Sequence, residues 1–184
     1  MEDVRRARDL DLLDALDGCP REVYAGSLWR VVREGRDPLL GSRPSARWDP
    51  GSFDVLYTSL ERDGALAEMY FHLSRQPVFP TAVNWQIHEI QARTQRTLRL
   101  ANLEHLRKFG VDVDRFGELE YSRTQAIGDA AYFLGFDGLL VPSARWPCLN
   151  LVIFSDRTEP GELSLKSSDP VDWSEWRRAR RQPQ

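Results

Sequence analysis

The sequence has little of what metal sites and disulfide frameworks require. Only two of its 184 residues are cysteines, Cys19 and Cys148, and their separation fits neither a zinc-ligand spacing nor a disulfide framework. The three histidines, His72, His88 and His105, also lie outside any metal-binding spacing. We therefore expect two free thiols in a reducing cytoplasm, no metal site and no resident cofactor.

Long apolar runs and several familiar motifs are absent as well. No stretch approaches the roughly 20 apolar residues that cross a bilayer, and the acidic first segment is unlike a signal peptide. There is no glycine-rich loop of the dinucleotide or phosphate-loop type and no Gly-x-Ser-x-Gly elbow. These absences argue against an ordinary dehydrogenase, kinase, metallohydrolase or serine esterase. The net charge of −3 argues against direct binding of nucleic acid.

What the sequence does contain is the composition and patterning of one α+β domain. Hydrophobic residues make up 41% of the chain and charged residues 29%, so residues 1–184 can form a single core without staples. Helical patterns lie at 4–17, after a predicted cap at Asp63, after a cap at Asn102, and after a Ser122–Gln125 capping box. Strand patterns lie at 28–32, 55–59, 82–91, 97–100, 138–141 and 150–154. Because helices and strands do not alternate regularly, an α+β fold is favoured over a doubly wound sheet.

A few polar residues occupy positions where chemistry is plausible, although each also has a structural interpretation. Arg30 lies in a strand and Arg47 in the irregular segment 33–54, and either guanidinium could bind a diphosphate through paired hydrogen bonds. Arg30 could instead lie in solvent, and Arg47 could pair with Asp49. The other candidates are Tyr57 as a core or stacking aromatic, Glu68 beside the apolar stripe of a helix, Ser143 in a turn and Asn150 at a strand end.

In their order along the chain, these residues and their neighbours resemble the RES domain family. The first part of the resemblance consists of the segments LWRV at 28–31, ARW at 46–48, VLYTS at 55–59 and ALAE at 65–68. It continues through QAI at 125–127, LGFDGL at 134–139, VPSAR at 141–145 and Asn150. The resemblance covers about residues 27–155. The N-terminal helix within 1–20 and the basic tail within 167–184 are expected to lie outside the family core.

The resemblance implies a fold, a function and a partner. RES proteins are toxins of bacterial toxin–antitoxin pairs whose antitoxins carry an Xre-type helix-turn-helix domain. Their fold is similar to the ADP-ribosyltransferases, a split β-sandwich with surrounding helices and an NAD⁺ cleft. Family members degrade NAD⁺ by hydrolysis or phosphorolysis, and some transfer ADP-ribose to a protein. NAD⁺ is then a substrate, with inorganic phosphate as a possible second one, and a homo-oligomer is a further expectation.

The resemblance also implies a role for each candidate residue. Glu68, Arg30 and Tyr57 would be catalytic, with Glu68 stabilising positive charge on the ribose and Tyr57 stacking on the nicotinamide. Arg47 would join Arg30 on the diphosphate. Ser143 and Asn150 would complete the NAD⁺ site, with no metal.

Some positions depart from the family pattern. Members usually have Gly-Gly before the second arginine and Asn after its tryptophan, whereas this chain has Ser45-Ala46 and Asp49. An insertion at 146–148 leaves the position of Asn150 open. Three functions therefore remain: degradation of NAD⁺, mono-ADP-ribosylation of a protein, and non-catalytic binding of a nucleotide or antitoxin.

Overall fold

The first described helix shows how a local signal fixes an element boundary. The computed structural model of the protein describes residues 8–181. The helix α1, Leu10–Asp17, begins after Asp9, whose carboxylate accepts a hydrogen bond from the backbone N–H of Leu12. Leu12 and Leu16 of α1 are buried in the main core. Residues 4–7 of the predicted helix lie outside the described residues.

The two longest strands of the sheet pair with each other in antiparallel orientation. The strand β1, Glu22–Arg33, pairs with β3, Trp85–Arg99, from Glu22 opposite Thr97 to Arg33 opposite Trp85. The sequence predicted a shorter β1 at 28–32 and two separate strands at 82–91 and 97–100. Those boundaries are wrong because cross-strand pairing supplies hydrogen bonds to the polar stretch between the two apolar patterns.

Three shorter strands close the sheet into a ring. The strand β5, Leu149–Phe154, lies antiparallel between β2, Val55–Ser59, and β4, Gly138–Pro142. The end of β3 pairs in parallel with β4, and β1 pairs with β2 where Trp29 lies opposite Ser59. The order β1-β2-β5-β4-β3 therefore returns to β1. The predicted strands 55–59, 138–141 and 150–154 are confirmed to within one residue.

A sixth strand, β6 at Leu163–Pro170, was missed by the sequence analysis. It pairs with β3 on the edge opposite β1, and most of its residues are exposed. Because both faces of this edge strand are largely exposed, its sequence lacks the apolar alternation that predicts a half-buried strand. Only the backbone pairing with β3 identifies it as a strand.

Four further helices cover the sheet: α2 at Arg62–Ser74, α3 at Leu103–Lys108, α4 at Ser122–Phe133 and α5 at Trp173–Arg181. The predicted cap at Asn102 is confirmed, since its side chain accepts a hydrogen bond from the backbone N–H of His105. The other two predicted caps are wrong. Glu61 rather than Asp63 precedes α2, and Tyr121 rather than Ser122 precedes α4.

Both failed caps have tertiary partners instead. Asp63 forms an ion pair with Arg180 of α5 at 2.9 Å. Gln125 donates from its amide to the carbonyl of Ala46 at 2.8 Å, which ties α4 to the 42–48 loop. A long-range bond has replaced a local cap in each case.

The basic tail is folded onto the body of the protein over residues 167–181. Trp173 of α5 is buried and packs with Trp176 against Tyr70 of α2. This segment is therefore not a solvated terminus. Its aromatic cluster packs against α2, and α2 carries Glu68.

Together these elements confirm the predicted α+β class, with a closed, mainly antiparallel sheet and packed helices. Among the described residues, no helix is both long and apolar enough to cross a membrane.

Candidate active site

A cleft of about 770 Å³ opens between β1, β2, α2 and the irregular segment that follows β1. Its walls combine aromatic surface with a strong excess of positive charge. Glu68 is the one acidic residue among the lining residues that the structure describes. The basic lining residues are six arginines and one histidine: Arg30, Arg33, Arg36, Arg47, Arg75, Arg145 and His72. A protein with net negative charge has thus concentrated positive charge around a single carboxylate.

Glu68 is held by two residues that are distant in sequence. Ser143 follows β4 and donates its hydroxyl to Glu68 Oε1 at 2.6 Å. Asn150, on β5, donates its amide to the same oxygen at 3.1 Å. Within residues 8–181, Glu68 Oε2 and the buried Asn150 Oδ1 have no hydrogen-bond partner. Glu68 Oε2 is therefore available as an acceptor to a hydroxyl or amide donor of a ligand, whereas Asn150 Oδ1 is enclosed by the protein.

The hydroxyl of Ser143 is oriented by its own loop. It accepts hydrogen bonds from the backbone N–H groups of Arg145 and Trp146, at 3.1 and 3.2 Å. Its single proton is then directed to Glu68. Within the described structure the Glu68 carboxylate is the one basic group in contact with this hydroxyl, and the hydrogen bond fixes the orientation of Glu68 in the cleft.

The inserted residues 146–148 do not displace Asn150. They form a tight turn between β4 and β5, closed by a hydrogen bond from Ser143 N to Cys148 O at 2.9 Å. Asn150 then lies opposite both Val141 and Ser59 in the sheet. This register brings its amide to Glu68.

Arg30 is half-buried on β1 rather than extended into solvent. Its Nη1 donates to the carbonyls of Pro38 and Leu40, at 2.8 and 3.1 Å. Burial lowers the pKa of Arg30 to about 10, with the charge of Arg36 acting in the same direction. Arg30 therefore anchors the irregular segment and still contributes positive charge to the cleft.

Arg47 is fixed by a different part of the chain. It donates to the carbonyls of Phe116 and Glu118, at 2.6 and 3.2 Å. Its guanidinium also lies 4.7 Å from the ring centroids of both Phe116 and Tyr121. Burial lowers the pKa of Arg47 as well. The structure gives Arg47 no ion pair with Asp49.

Asp49 is instead the centre of the loop that carries Arg47. The fully buried carboxylate accepts hydrogen bonds from the backbone N–H groups of Ser45, Ala46 and Gly51 and from the Tyr57 hydroxyl. Ser45 has φ 53°, a left-handed conformation that favours glycine. The two departures from the family pattern therefore act together, because the Asp49 carboxylate holds the strained Ser45 backbone in place.

Tyr57 lines the cleft and also organises this loop. Its hydroxyl donates to Asp49 at 2.7 Å and accepts from the backbone N–H of Trp48 at 2.9 Å. Burial, with the neighbouring Asp49 charge, raises the pKa of Tyr57 well above its ordinary value. The predicted stacking on nicotinamide remains a prediction. The positioning role of the hydroxyl was not apparent from the sequence.

Three basic residues near Glu68 were not predicted from the sequence as part of the site. Arg145 stacks on the ring of Phe71 at 3.3 Å, and Arg75 lies 5.4 Å from the centroid of the same ring. His72 is exposed at the rim, where partial desolvation by the cleft wall and the charges of Arg145 and Arg75 lower its pKa against the opposing effect of Glu68. The sequence did contain an indication of this arrangement, because positions 68, 72 and 75 have the four- and three-residue spacings that place side chains on one face of a helix.

The cysteines and carboxylates form no other evident centre. Both thiols are free, and Cys148 Sγ lies 3.3 Å from the hydroxyl of Ser59. Within the part of the chain that the structure describes, no cluster of His, Cys, Asp and Glu could hold a metal ion.

Comparison with known proteins identifies the family. A sequence profile of the RES domain matches residues 27–174, which is most of the chain. The chain belongs to the RES domain family. The match extends past residue 155, through β6 and into the start of α5. Part of the segment 167–184 therefore lies inside the matched region.

Curated relatives from mycobacteria share this similarity. The chain is 27% identical over 171 residues to the NAD(+) phosphorylase MbcT of Mycobacterium tuberculosis, spanning 88% of this chain and 91% of that protein. It is 31% identical over 152 residues to the probable NAD(+) phosphorylase Rv3189 of the same organism, spanning 79% of this chain and 72% of the relative.

A solved structure shares the fold of this RES protein. It is a chain in the crystal structure of the M. tuberculosis MbcT–MbcA toxin–antitoxin complex, with a TM-score of 0.84 and 24% sequence identity. The match covers 95% of this chain and 99% of that chain. At this identity the likeness shows a common fold.

Proposed function

We propose that this RES protein is the toxin of a bacterial toxin–antitoxin pair and that it degrades NAD⁺ by breaking the nicotinamide–ribose bond. One observation carries the proposal: Glu68 is held by Ser143 and Asn150 inside a cleft whose other charged residues are all basic. Such a site suits a substrate that carries a diphosphate and develops positive charge on a ribose. The names of MbcT and Rv3189 point to the same reaction class.

The chemistry requires few groups. The C1–N bond of the nicotinamide ribose breaks with its electron pair moving to the nicotinamide nitrogen, so nicotinamide leaves as a neutral molecule. The ribose passes through an oxocarbenium-like state, as in glycoside cleavage. The carboxylate of Glu68 would stabilise that positive charge and hold the ribose hydroxyls. No proton has to be delivered to the leaving group.

We further propose phosphate as the acceptor in preference to water. A phosphate oxygen forms the new bond to C1, giving ADP-ribose-1″-phosphate and nicotinamide. Phosphate is already an anion at neutral pH and needs no base, whereas water must lose a proton when it attacks. A strongly basic cleft also raises the local concentration of anions. The phosphorylase names of both relatives support this choice.

The remaining roles follow from position. Arg30 and Arg47 would bind the NAD⁺ diphosphate, Tyr57 would stack on the nicotinamide, and Asn150 would complete the NAD⁺ site through its hydrogen bond to Glu68. Ser143 would keep Glu68 oriented. The fold would be the split β-sandwich of the ADP-ribosyltransferases, with the cleft as its NAD⁺ site.

We also propose an antitoxin with an Xre-type helix-turn-helix domain as the protein partner. The fold is shared with a chain of a toxin–antitoxin complex. Such a toxin would act in the bacterial cytoplasm, where its substrate is.

Product analysis tests the function directly. Purified protein is incubated with NAD⁺, with and without inorganic phosphate, and the products are separated by liquid chromatography and identified by mass. We expect nicotinamide and ADP-ribose-1″-phosphate when phosphate is present. ADP-ribose in both conditions would replace phosphorolysis with hydrolysis. Intact NAD⁺ in both conditions, with labelled protein in a lysate, would establish the transferase instead.

A further inference from the structure

The basic residues of the cleft divide into two groups by their electrostatic neighbours. The charges that shift the pKa of Arg30 are those of Arg36 and Asp37. The charges that shift the pKa of His72 are those of Glu68, Arg145, Arg75 and Arg47. One group thus surrounds Arg30, and the other surrounds Glu68.

The second group contains three side chains whose hydrogen-bond donors have no partner in residues 8–181. Within residues 8–181, the side chains of Arg145, Arg75 and His72 form neither a hydrogen bond nor an ion pair. By contrast, Arg30 and Arg47 each donate to backbone carbonyls. The donors of the three side chains are therefore free to bind an anion.

Their placement beside Glu68 is fixed by the helix and the turn. His72 is one turn of α2 beyond Glu68 and Arg75 nearly two, which places them about 6 and 10.5 Å away along the helix axis. The backbone of Arg145 is joined to Glu68 through Ser143, whose hydroxyl accepts from the backbone N–H of Arg145 and donates to the carboxylate. The ring of Phe71 limits the positions of both guanidinium groups.

Phosphorolysis needs two anions in the cleft together. The NAD⁺ diphosphate is attached to C5 of the nicotinamide ribose, and the attacking phosphate must reach C1 of the same ribose. One set of cations cannot serve both. The acceptor must also enter separately, which suits a site at the exposed rim where His72 and Arg75 lie.

We infer that Arg145, Arg75 and His72 form the subsite for the inorganic phosphate acceptor, next to Glu68. The planar fork of Arg145 binds two phosphate oxygens, Arg75 adds a second guanidinium, and His72 contributes a ring N–H. The inference rests on the proposed function and assigns the acceptor a place within that site.

Steady-state kinetics with phosphate varied at saturating NAD⁺ provide the first test. For Arg145→Ala, and for Arg145→Ala combined with Arg75→Ala, we expect the KM for phosphate to rise by about 10-fold or more. The KM for NAD⁺ should change less than about 3-fold, and the share of ADP-ribose among the products should rise. Arg145→Lys should fall between the wild type and Arg145→Ala. Arg107→Ala, which removes an exposed guanidinium outside the cleft lining, is the matched control and should leave the KM for phosphate unchanged.

Calorimetric titration with inorganic phosphate provides a readout that does not depend on turnover. We expect equal binding by the wild type and by Arg107→Ala, and binding at least about 10-fold weaker by Arg145→Ala. Equal phosphate affinity in the wild type and Arg145→Ala, or a raised KM for NAD⁺ with an unchanged KM for phosphate, would overturn the subsite. Absence of any NAD⁺ cleavage by a wild type that binds phosphate through Arg145 would overturn the proposed function and leave the anion subsite standing.

Discussion

The charged residues of the cleft and those of the outer surface differ in whether they form ion pairs. Within residues 8–181 the nine ion pairs all lie outside the cleft lining, as in Arg115 with Glu118 at 2.6 Å. None of the six cleft arginines forms one in that part of the chain. Arg30 and Arg47 donate to backbone carbonyls, which orient a guanidinium without neutralising it. Part of the outer charge is therefore neutralised within the protein, whereas the cleft arginines are left without a carboxylate partner in residues 8–181.

The largest expected difference between the two regions concerns their carboxylates. Glu68→Gln should lower the rate of NAD⁺ cleavage by at least about 100-fold, because loss of one preorganised electrostatic group commonly costs 10²–10³ in turnover. The amide oxygen can still accept from Ser143 and Asn150, so the melting temperature should hold. Glu118→Gln, on the outer surface, should retain full turnover. Equal rates in the two variants would remove Glu68 from the mechanism.

The next largest difference is expected between an arginine of the cleft and an arginine of the outer surface, in the KM for NAD⁺. Arg47→Ala should raise the KM for NAD⁺ by about 10- to 100-fold, the range expected for lost hydrogen bonds to a charged group. Arg115→Ala removes an exposed, solvent-screened ion pair and should change neither the KM nor, measurably, the melting temperature. An unchanged KM in Arg47→Ala, with the fold intact by circular dichroism, would contradict the diphosphate assignment.

A smaller difference is expected between two tyrosine hydroxyls in their contributions to the free energy of unfolding. Tyr57→Phe keeps the ring but leaves the Trp48 N–H and one Asp49 oxygen short of a partner. The free energy of unfolding in urea should fall by about 1–3 kcal/mol. Tyr132→Phe removes a hydroxyl that bonds to exposed Asp156, so its loss should be the smaller of the two. A larger loss in Tyr132→Phe would mean that the Asp49 loop does not depend on Tyr57.

The smallest expected effect is the contribution of the buried His88 to the loss of folding stability at acid pH. His88 is buried opposite Arg30, with Nδ1 bonded to Ser168 at 2.7 Å. Burial, and then the charge of Arg30, lower the pKa of His88 below the ordinary 6.5, with Asp37 opposing. The unfolded chain therefore binds a proton more tightly, so stability should decline as the pH falls below about 6.5. Urea unfolding at pH 7.5 and 5.5 should show a smaller decline in His88→Asn than in the wild type. An equal decline would exclude His88 as a source.

Some of this structure could be predicted from local patterns. A short β-prone segment predicted β2, a continuous apolar run predicted β5, and Asn102 was recognisable as a helix cap. The order of short motifs along the chain indicated the RES family, which the profile match shows. It also named residues that the fold brings to one cleft, including Glu68, although their roles are still proposals.

Other features depended on partners far along the chain. The exposed strand β6 exists because β3 offers it a free edge. Asp63 and Gln125 were predicted as local caps and are instead bonded to Arg180 and Ala46. No window of sequence contains both members of such a pair.

The sequence by itself determined which residue types were available: a glutamate beside the apolar stripe of a helix, several arginines and a serine after a buried strand. The tertiary structure alone decided that Ser143 and Asn150 both donate to Glu68, from 75 and 82 residues away. It also decided which arginines lack a carboxylate partner. Helix and strand periodicity is a property of neighbouring residues, whereas hydrogen bonding and charge neutralisation depend on which distant groups folding brings within a few ångströms.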